Sequence, residues 1–319
     1  MKTSRRSLFA LAFAALAVSS LGAAAAAAAD LKEVRIGFQK AGIQPAVKER
    51  GSIESALKDK GLTVRWVEFA FGPPLLEALN TGNIDFGYTG DTPPIFAQAA
   101  TANLLYVAAL PASGKNEGIV VPANSPIKTI ADLKGKRLGI PKGSSAHNTA
   151  VAILEKAGLQ FSDVNAVYLP PADGAAAFAG GTVDAWAIWD PYFALAEKSD
   201  ARVLSFAGDA HASIGFFLAN REFTSAHGDI VALLNQTFAR EAQWANGHHD
   251  EITKSLASAT GVDPEIVGTF VARSVFEVTP VTDKVLAEQQ QTADRFHKLG
   301  LIPKPINVRD IVWKWSPAS

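Results

Sequence analysis

Apolar and polar positions alternate along the chain, from residue 34 onward, in the β-α-β-α-β order of an α/β protein. Short apolar runs of strand length are separated by helical segments that stop at or near a glycine. In the first third of the chain the pattern predicts strands at 34–38, 63–69, 84–88 and 104–110. It predicts helices between them at 51–60, 73–79 and 93–100. Such alternation is typical of a doubly wound, mostly parallel sheet.

The same rhythm starts again after residue 122. This second series predicts strands at 137–140, 164–169 and 185–189, and helices that begin near residues 145, 172 and 191. Two α/β lobes are therefore expected, with the extended segments 118–121 and 214–219 as the crossings between them. We expect residues 30–118 and 219–319 to form lobe 1, which includes a helical C-terminal part. Residues 119–218 are expected to form lobe 2.

The first 29 residues have the composition of an export signal. Lys2, Arg5 and Arg6 form a basic region, residues 8–21 are apolar, and the alanine run at 23–29 offers cleavage sites. The apolar run is too short and too poorly flanked to favour a permanent membrane span. We expect a periplasmic protein, exported by the general secretory route or, because Arg5 and Arg6 are adjacent, by the twin-arginine route.

Cysteine is absent from the sequence. This composition excludes a lipid-anchored thioether, a disulfide framework and a thiolate metal site. Removal of the three signal-peptide cations from the 30 basic residues, against 31 acidic ones, leaves a net charge of about −4. Nothing in this charge balance indicates nucleic acid, and we expect a soluble monomer.

A stretch at the start of the helix near residue 145 carries the most informative chemistry. Glycine, two hydroxyls, an imidazole and an amide follow one another between a predicted strand and a predicted helix, as Gly143, Ser144, Ser145, His147 and Asn148. A helix N-terminus offers unpaired backbone N–H groups and the positive end of the helix dipole, which together favour an anion. The simpler interpretation is an ordinary serine cap.

Other polar and aromatic residues follow strands whose carboxyl ends should meet at the same cleft. Gly90, Asp91 and Thr92 precede a helix that begins with two prolines, and Asp91 could either touch a ligand or accept backbone N–H bonds. Trp189 and Asp190 end another strand, and Trp189 with Phe71 could cover an alkyl tail. The candidate ligand-binding set is Gln39, Phe71, Gly90, Asp91, Thr92, Gly143, Ser144, Ser145, His147, Asn148, Trp189 and Asp190.

Enzyme chemistry has weaker support in the sequence. His147 lies beside two serines, but no G-x-S-x-G elbow surrounds them and no orienting carboxylate is identifiable. His248 and His249 are adjacent and would point in different directions from a helix, which does not suit a metal site. The glycine-rich phosphate loops of nucleotide enzymes are absent. We therefore expect neither a cofactor nor a metal.

Several ordered blocks closely resemble the aliphatic sulfonate-binding proteins of bacterial ABC importers, over essentially the whole chain after the signal. The blocks are residues 35–40, 66–69, 89–91, 93–100, 124–127, 142–148, 186–192, 289–294 and 308–309. The resemblance implies a two-lobed periplasmic-binding-protein fold of type II, with the ligand in the inter-lobe cleft. It implies an organosulfonate ligand that is delivered to a membrane permease and its ATPase for sulfur acquisition.

The resemblance also implies which residues surround the ligand head group. These are Gln39, Gly90, Asp91, Ser144, Ser145, His147, Trp189 and Asp190. Thr92 departs from the family, whose members often carry an aliphatic residue there. Taurine-, nitrate- and thiamine-precursor-binding proteins share the architecture, so these ligands remain alternatives. The pyrimidine synthases of thiamine biosynthesis also resemble this fold, but they depend on a cysteine-rich motif that this chain lacks.

Overall fold

Two five-stranded sheets organise the residues that the structure, a computed structural model, describes, which are 31–316. The expected signal peptide lies outside these residues. The strands are β1 Glu33–Phe38, β2 Thr63–Glu68, β3 Phe86–Gly90, β4 Leu104–Pro111, β5 Glu117–Pro122, β6 Arg137–Ile140, β7 Asn165–Tyr168, β8 Ala185–Trp189, β9 Ala201–Phe206 and β10 Ile214–Asn220. The first sheet has the order β2-β1-β3-β10-β4 and the second the order β7-β6-β8-β5-β9.

The two sheets share one plan. In the first, β1 is parallel to β2 and β3, whereas β10 is antiparallel to β3 and β4. In the second, β6 is parallel to β7 and β8, whereas β5 is antiparallel to β8 and β9. Four strands of each sheet thus run in one direction and one strand runs against them. This confirms the predicted two-lobed, mostly parallel α/β fold.

In each sheet, the antiparallel strand directly follows, in sequence, a strand of the other sheet. β5 follows β4 but belongs to the second sheet, and β10 follows β9 but belongs to the first. The expected crossings at 118–121 and 214–219 are therefore wrong, because both segments are strands inside a sheet. The chain passes between the sheets at 112–116 and 207–213 instead. The assignment of residues 30–118 and 219–319 to lobe 1 and of residues 119–218 to lobe 2 stays a prediction.

The helices cover the sheets. They are α1 Gln44–Arg50, α2 Ser52–Lys58, α3 Gly72–Asn80, α4 Thr92–Ala99, α5 Ser145–Lys156, α6 Pro171–Ala179, α7 Tyr192–Lys198, α8 Arg221–Ala226, α9 Gly228–Gly247, α10 His249–Thr260, α11 Pro264–Arg273 and α12 Asp283–Lys298. Short 3-10 turns lie at Ile130–Leu133, Phe161–Asp163, Ala207–Asp209 and Val308–Ile311. In the described part of the chain, no helix is both long enough and apolar enough to cross a membrane.

An equivalent arginine-aspartate pair connects two neighbouring interior strands in each sheet. The backbone N–H of Arg35 and its guanidinium bind Asp85 at 2.8 and 2.9 Å, just before β3. Arg137 binds Asp184 through the same two groups at 2.8 and 3.1 Å, just before β8. Both pairs are partly exposed, so their contribution to stability is modest. Their main effect is to hold the register of β1 and β6 against the strands whose carboxyl ends reach the site.

The core of each lobe consists of the apolar faces that the sequence pattern predicted. Val34, Ile36 and Phe38 alternate on β1 and are buried, as expected for a strand with one face on the core. In the second sheet β5 is buried along almost its whole length, as expected for a central strand covered on both sides. Strand β9 was not predicted, because none of its residues is fully buried and its pattern is weak.

Candidate functional site

A cavity lies between the two sheets, at the carboxyl ends of several of their strands. Its volume of about 70 Å³ suits a small head group. The residues that line it are Gln39, Ala41, Gly42, Gly72, Tyr88, Gly90, Asp91, Pro93, Ala112, Asn116, Glu117, Ser144, Ser145, Trp189, Asp190, His211, Ser213, Ile214, Gly215 and Phe270.

Three helices begin at this cavity. Gly72 is the first residue of α3, Asp91 directly precedes α4, and Ser145 is the first residue of α5, and all three line the cavity. The first-turn N–H groups of a helix have no intrahelical acceptor, and the helix dipole places about half a positive charge at that end. Three such ends directed at one small cavity favour an anion there.

The loop before α5 has the backbone that its sequence requires. Gly143 has φ +74°, a left-handed conformation that glycine adopts without steric cost. Ser144 is the N-cap in extended conformation, but its hydroxyl donates to the carbonyl of Pro141 at 2.6 Å rather than to the helix. The Ser145 hydroxyl faces the opposite way along the cavity and donates to Glu117 Oε2 at 2.8 Å.

Glu117 is a buried carboxyl that the sequence did not indicate. It begins β5 and is hydrogen-bonded to Ser145 through Oε2 and to Thr149 through Oε1, the latter at 2.5 Å. Burial raises the pKa of Glu117 to about 7, an effect that the Thr149 bond opposes and the charge of Asp91 reinforces. The carboxyl therefore holds a proton for a large fraction of the time near neutral pH.

Asp91 is fixed by neutral donors from both lobes. Its Oδ1 accepts from the Thr92 hydroxyl at 2.8 Å and its Oδ2 accepts from the Asn148 amide at 2.6 Å. His211 Nδ1 is 3.9 Å from the same Oδ2. Burial raises the pKa of Asp91, whereas His211 and the two donors oppose that rise. Thr92 and Asn148 act here as positioning residues, because neither lines the cavity.

Asp190 is bound by a cation that lies far away in the sequence. Arg273 Nε is 2.8 Å from Asp190 Oδ2 and its Nη2 is 2.5 Å from Oδ1, so the contact is bidentate. A third nitrogen, Nη1, is 2.6 Å from Glu197 Oε2. Burial raises the pKa of Asp190 to about 6 and the two Arg273 bonds oppose that rise. At neutral pH Asp190 and Arg273 form an ion pair, and the same guanidinium also contacts Glu197.

Aromatic rings form part of the cavity wall. Trp189 lines the cavity and lies opposite Glu117 in the β5–β8 register. Tyr88, on the central strand β3, also lines it, and its hydroxyl group lies beside Gly215, another lining residue. Phe71 does not line the cavity, although its neighbour Gly72 does. The apolar wall is therefore smaller than the sequence suggested.

The structure brings seven of the twelve candidate residues together at the cavity and leaves five outside it. The seven are Gln39, Gly90, Asp91, Ser144, Ser145, Trp189 and Asp190. The five are Phe71, Thr92, Gly143, His147 and Asn148. His147 faces the other side of α5, where its ring packs at 5.1 to 5.7 Å from Phe161, Tyr168 and Phe296. The sequence did not show which side chains of the first turn of α5 face the cavity and which face away from it.

Sequence reasoning missed several polar residues at or behind the cavity. They include Tyr88, Asn116, Glu117, His211, Ser213 and Arg273. One signal was available for Glu117, since it is a single acid in front of the wholly apolar run 118–121. The segment was interpreted as a connection, which concealed the burial of that acid. In the described residues no group of three or more His, Asp or Glu side chains is arranged to hold a metal ion.

Comparison with known proteins gives consistent matches. The family described as NMT1/THI5 like matches residues 57–252. The Escherichia coli (strain K12) protein named "Putative aliphatic sulfonates-binding protein" is 40% identical over 312 residues, which cover 97% of each chain.

Two solved structures extend this similarity to the fold. The alkanesulfonate-binding protein SsuA from Xanthomonas axonopodis pv. citri bound to MOPS is 41% identical, with a TM-score of 0.84 over 90% of this chain and 99% of that one. The periplasmic aliphatic sulphonate binding protein SsuA from Escherichia coli is also 41% identical, with a TM-score of 0.80 over 88% and 97% of the two chains.

Proposed function

The chain belongs to the NMT1/THI5-like family, among relatives of the aliphatic sulfonate-binding proteins, and from this premise we propose that it captures an aliphatic sulfonate between its lobes. In this proposal the protein is an extracytoplasmic solute-binding protein. It delivers the sulfonate to the permease and ATPase subunits of an ABC importer, as a monomer, for sulfur acquisition. The signal-like first 29 residues support export.

The observation that carries the proposal is the convergence of α3, α4 and α5 on one cavity. A sulfonate is a monoanion at any biological pH, and its three oxygens accept several hydrogen bonds. Backbone N–H groups at helix N-termini and hydroxyl groups suffice to bind it. Arg273, which does not line the cavity, is already bound to Asp190 and Glu197. The site therefore holds its ligand through neutral donors and helix ends.

The alkyl part of the ligand is proposed to pass over Trp189. This ring is partly exposed at the cavity and packs on the core of lobe 2 with its other face. Ligand sites commonly combine a few placed polar groups with an apolar or aromatic wall. Closure of the lobes would exclude water from the head group and strengthen each hydrogen bond.

Taurine is the second candidate ligand. Its ammonium group would need a carboxylate in the site that is free to bind it. Asp190 is bound to Arg273, whereas Asp91 and Glu117 are held by hydroxyl and amide donors. An uncharged alkyl group therefore fits this wall better than an ammonium group.

We propose that this chain is a binding protein rather than an enzyme. The desulfurization enzyme DSZB, at 19% identity and a TM-score of 0.65, shares the fold.

Thermal unfolding of the ligand-free protein with added ligands tests the proposal. Ethanesulfonate at 100 times its dissociation constant should raise the unfolding free energy by about 2.7 kcal/mol. Longer alkanesulfonates should also stabilise the protein, whereas nitrate, sulfate and taurine should stabilise it less. Stabilisation by nitrate or taurine together with no response to any alkanesulfonate would contradict the proposed ligand.

A further inference from the structure

Three side chains on the lobe 2 side of the cavity form a continuous hydrogen-bonded row. Glu117 Oε1 is 2.5 Å from Thr149 Oγ1, and Thr149 Oγ1 is 2.9 Å from His211 Nε2. Glu117 and Thr149 are buried, and the side chain of His211 is 8% exposed. Glu117 and His211 line the cavity. The row therefore belongs to the cavity wall.

The geometry determines how many protons this row holds. His211 Nδ1 is 2.8 Å from the carbonyl oxygen of Ala212 and 3.4 Å from the amide nitrogen of Asn148. The carbonyl is the nearer partner and only accepts, so we assign the hydrogen to Nδ1. The Thr149 hydroxyl has one hydrogen and can donate to only one of its two neighbours. The other neighbour must then donate to Thr149. The donor is either a protonated Glu117 or a doubly protonated His211, and either state adds one proton to the row.

Without that proton, one contact of Thr149 would place two lone pairs against each other in a buried site. Burial also raises the pKa of the Glu117 carboxyl to about 7, as expected for a group that retains a proton at neutral pH. On the other oxygen of Glu117, Ser145 donates and keeps that oxygen an acceptor. The hydrogen-bond geometry and the burial of Glu117 both favour one additional proton on the row.

Because acidic groups surround the row, its additional proton affects how well an anion binds in the cavity. Asp91 faces it from the start of α4, 3.9 Å from His211 Nδ1, and Tyr88 faces it from β3 with a pKa that burial and Glu117 raise. Asp190 faces it from the end of β8 and is balanced by Arg273 on α11. With its proton the row is neutral. Without it, another negative charge would lie beside the bound anion.

We propose that Glu117, Thr149 and His211 form a one-proton relay that makes the cavity selective for singly charged anions, which bind together with the protonated relay. This inference rests on the proposed function and adds the charge state that the site requires. A dianion such as sulfate would bring a second negative charge that no lining cation balances. The relay thus acts through charge as well as through hydrogen bonding.

Calorimetric titration with ethanesulfonate between pH 6 and pH 9, at constant ionic strength, tests the relay. The ligand does not titrate in this range, so any pH dependence belongs to the protein. We expect a constant dissociation constant below about pH 7 and an increase that approaches about tenfold per pH unit above it. At pH 8, titrations in two buffers of different ionisation enthalpy should show proton uptake that approaches one per ligand.

Glu117→Gln is the informative variant, because its amide can donate to Thr149 and accept from Ser145, as the protonated acid does. Its dissociation constant should not depend on pH over the same range. Glu265→Gln, on an exposed carboxyl far from the cavity, is the matched control and should keep the wild-type profile. A flat wild-type profile without proton uptake would overturn the relay, as would a pH dependence that persists in Glu117→Gln.

A ligand-free measurement separates the relay from the proposed function. A carboxyl whose pKa is higher in the folded state stabilises the protein below its unfolded pKa, and this stabilisation is lost as the pH rises through the folded value. The unfolding free energy of the wild type relative to Glu117→Gln should therefore decline between about pH 4.5 and pH 7. A constant difference would overturn the relay. Absence of binding by any sulfonate, with this decline present, would contradict only the proposed function.

Discussion

The guanidinium of Arg273 at the end of α11 contacts both carboxylate oxygens of Asp190 at the end of β8, at 2.8 and 2.5 Å. The two residues are 83 positions apart. The Asp190 side chain is 1% exposed and that of Arg273 is 13% exposed. The contact is therefore a buried ion pair that connects β8 to the C-terminal helices beside the cavity.

Arg273→Met should lower the free energy of unfolding, because it leaves Asp190 as an unpaired buried charge. Loss of one partner of a buried pair costs about 3–5 kcal/mol. Chemical denaturation measures this change. Lys198→Met, which removes the exposed ion pair with Glu265 between α7 and α11, is the matched control and should lower the unfolding free energy much less.

Gly90→Ala should weaken ligand binding without a comparable loss of folding stability. A Cβ at Gly90 would lie 2.7 Å from Ser145 Cβ on the opposite lobe. Overpacking of this kind costs about 1–3 kcal/mol, so affinity should fall about tenfold or more. Gly247→Ala, where a Cβ would meet nothing within 4 Å, should keep wild-type affinity. Equal effects of the two substitutions would show that the approach of β3 to α5 is not needed for binding.

Ser145→Ala should lower the affinity for alkanesulfonates about tenfold or more, because the sulfonate would take over the hydroxyl hydrogen that Ser145 donates to Glu117 in the ligand-free protein and so gain one charge-assisted hydrogen bond. The hydroxyl lines the cavity and is held toward it by Glu117. Titration calorimetry with ethanesulfonate measures the effect, and Ser258→Ala on the exposed face of α10 is the control. An unchanged dissociation constant would remove Ser145 from the ligand contacts.

His147 should make the protein less stable in acid. Burial, and to a smaller extent the charge of Lys142, lowers the pKa of His147 to about 4, and its Nε2 has no hydrogen-bond partner in the described part of the chain. Because the unfolded chain binds the proton more tightly, the unfolding free energy should fall between about pH 6.5 and pH 4, by up to about 3 kcal/mol. Chemical denaturation across this range measures the loss.

His147→Leu should reduce that acid-dependent loss, because the substituted side chain cannot bind a proton. His249→Leu, on an exposed histidine at the start of α10, should behave like the wild type. Since His147 lies outside the cavity, His147→Leu should also keep the affinity for ethanesulfonate within a few-fold of the wild type. A large loss of affinity in this variant would return His147 to the site that the sequence suggested.

Local sequence patterns were sufficient to predict much of the fold. Glycine and proline positions marked the starts and ends of α3, α4 and α5, and alternation marked β1 and β8, because these signals depend on residues within one turn or one strand. The same local signals led to errors where β5 and β10 were interpreted as connections. An apolar run has the same composition whether it crosses between lobes or lies in the centre of a sheet.

The sequence by itself determined that a helix beginning at Ser145 and a helix following Asp91 would offer their N-termini to a ligand. Only the tertiary structure decided the charges and hydrogen bonds around those ends. Asp190 is balanced by Arg273, Ser145 donates to Glu117, and His147 faces away from the cavity. The physical reason is that the pKa of a side chain, and the hydrogen-bond donors it has left for a ligand, depend on its burial and on its neighbours. Those neighbours come from residues that are far apart in the sequence.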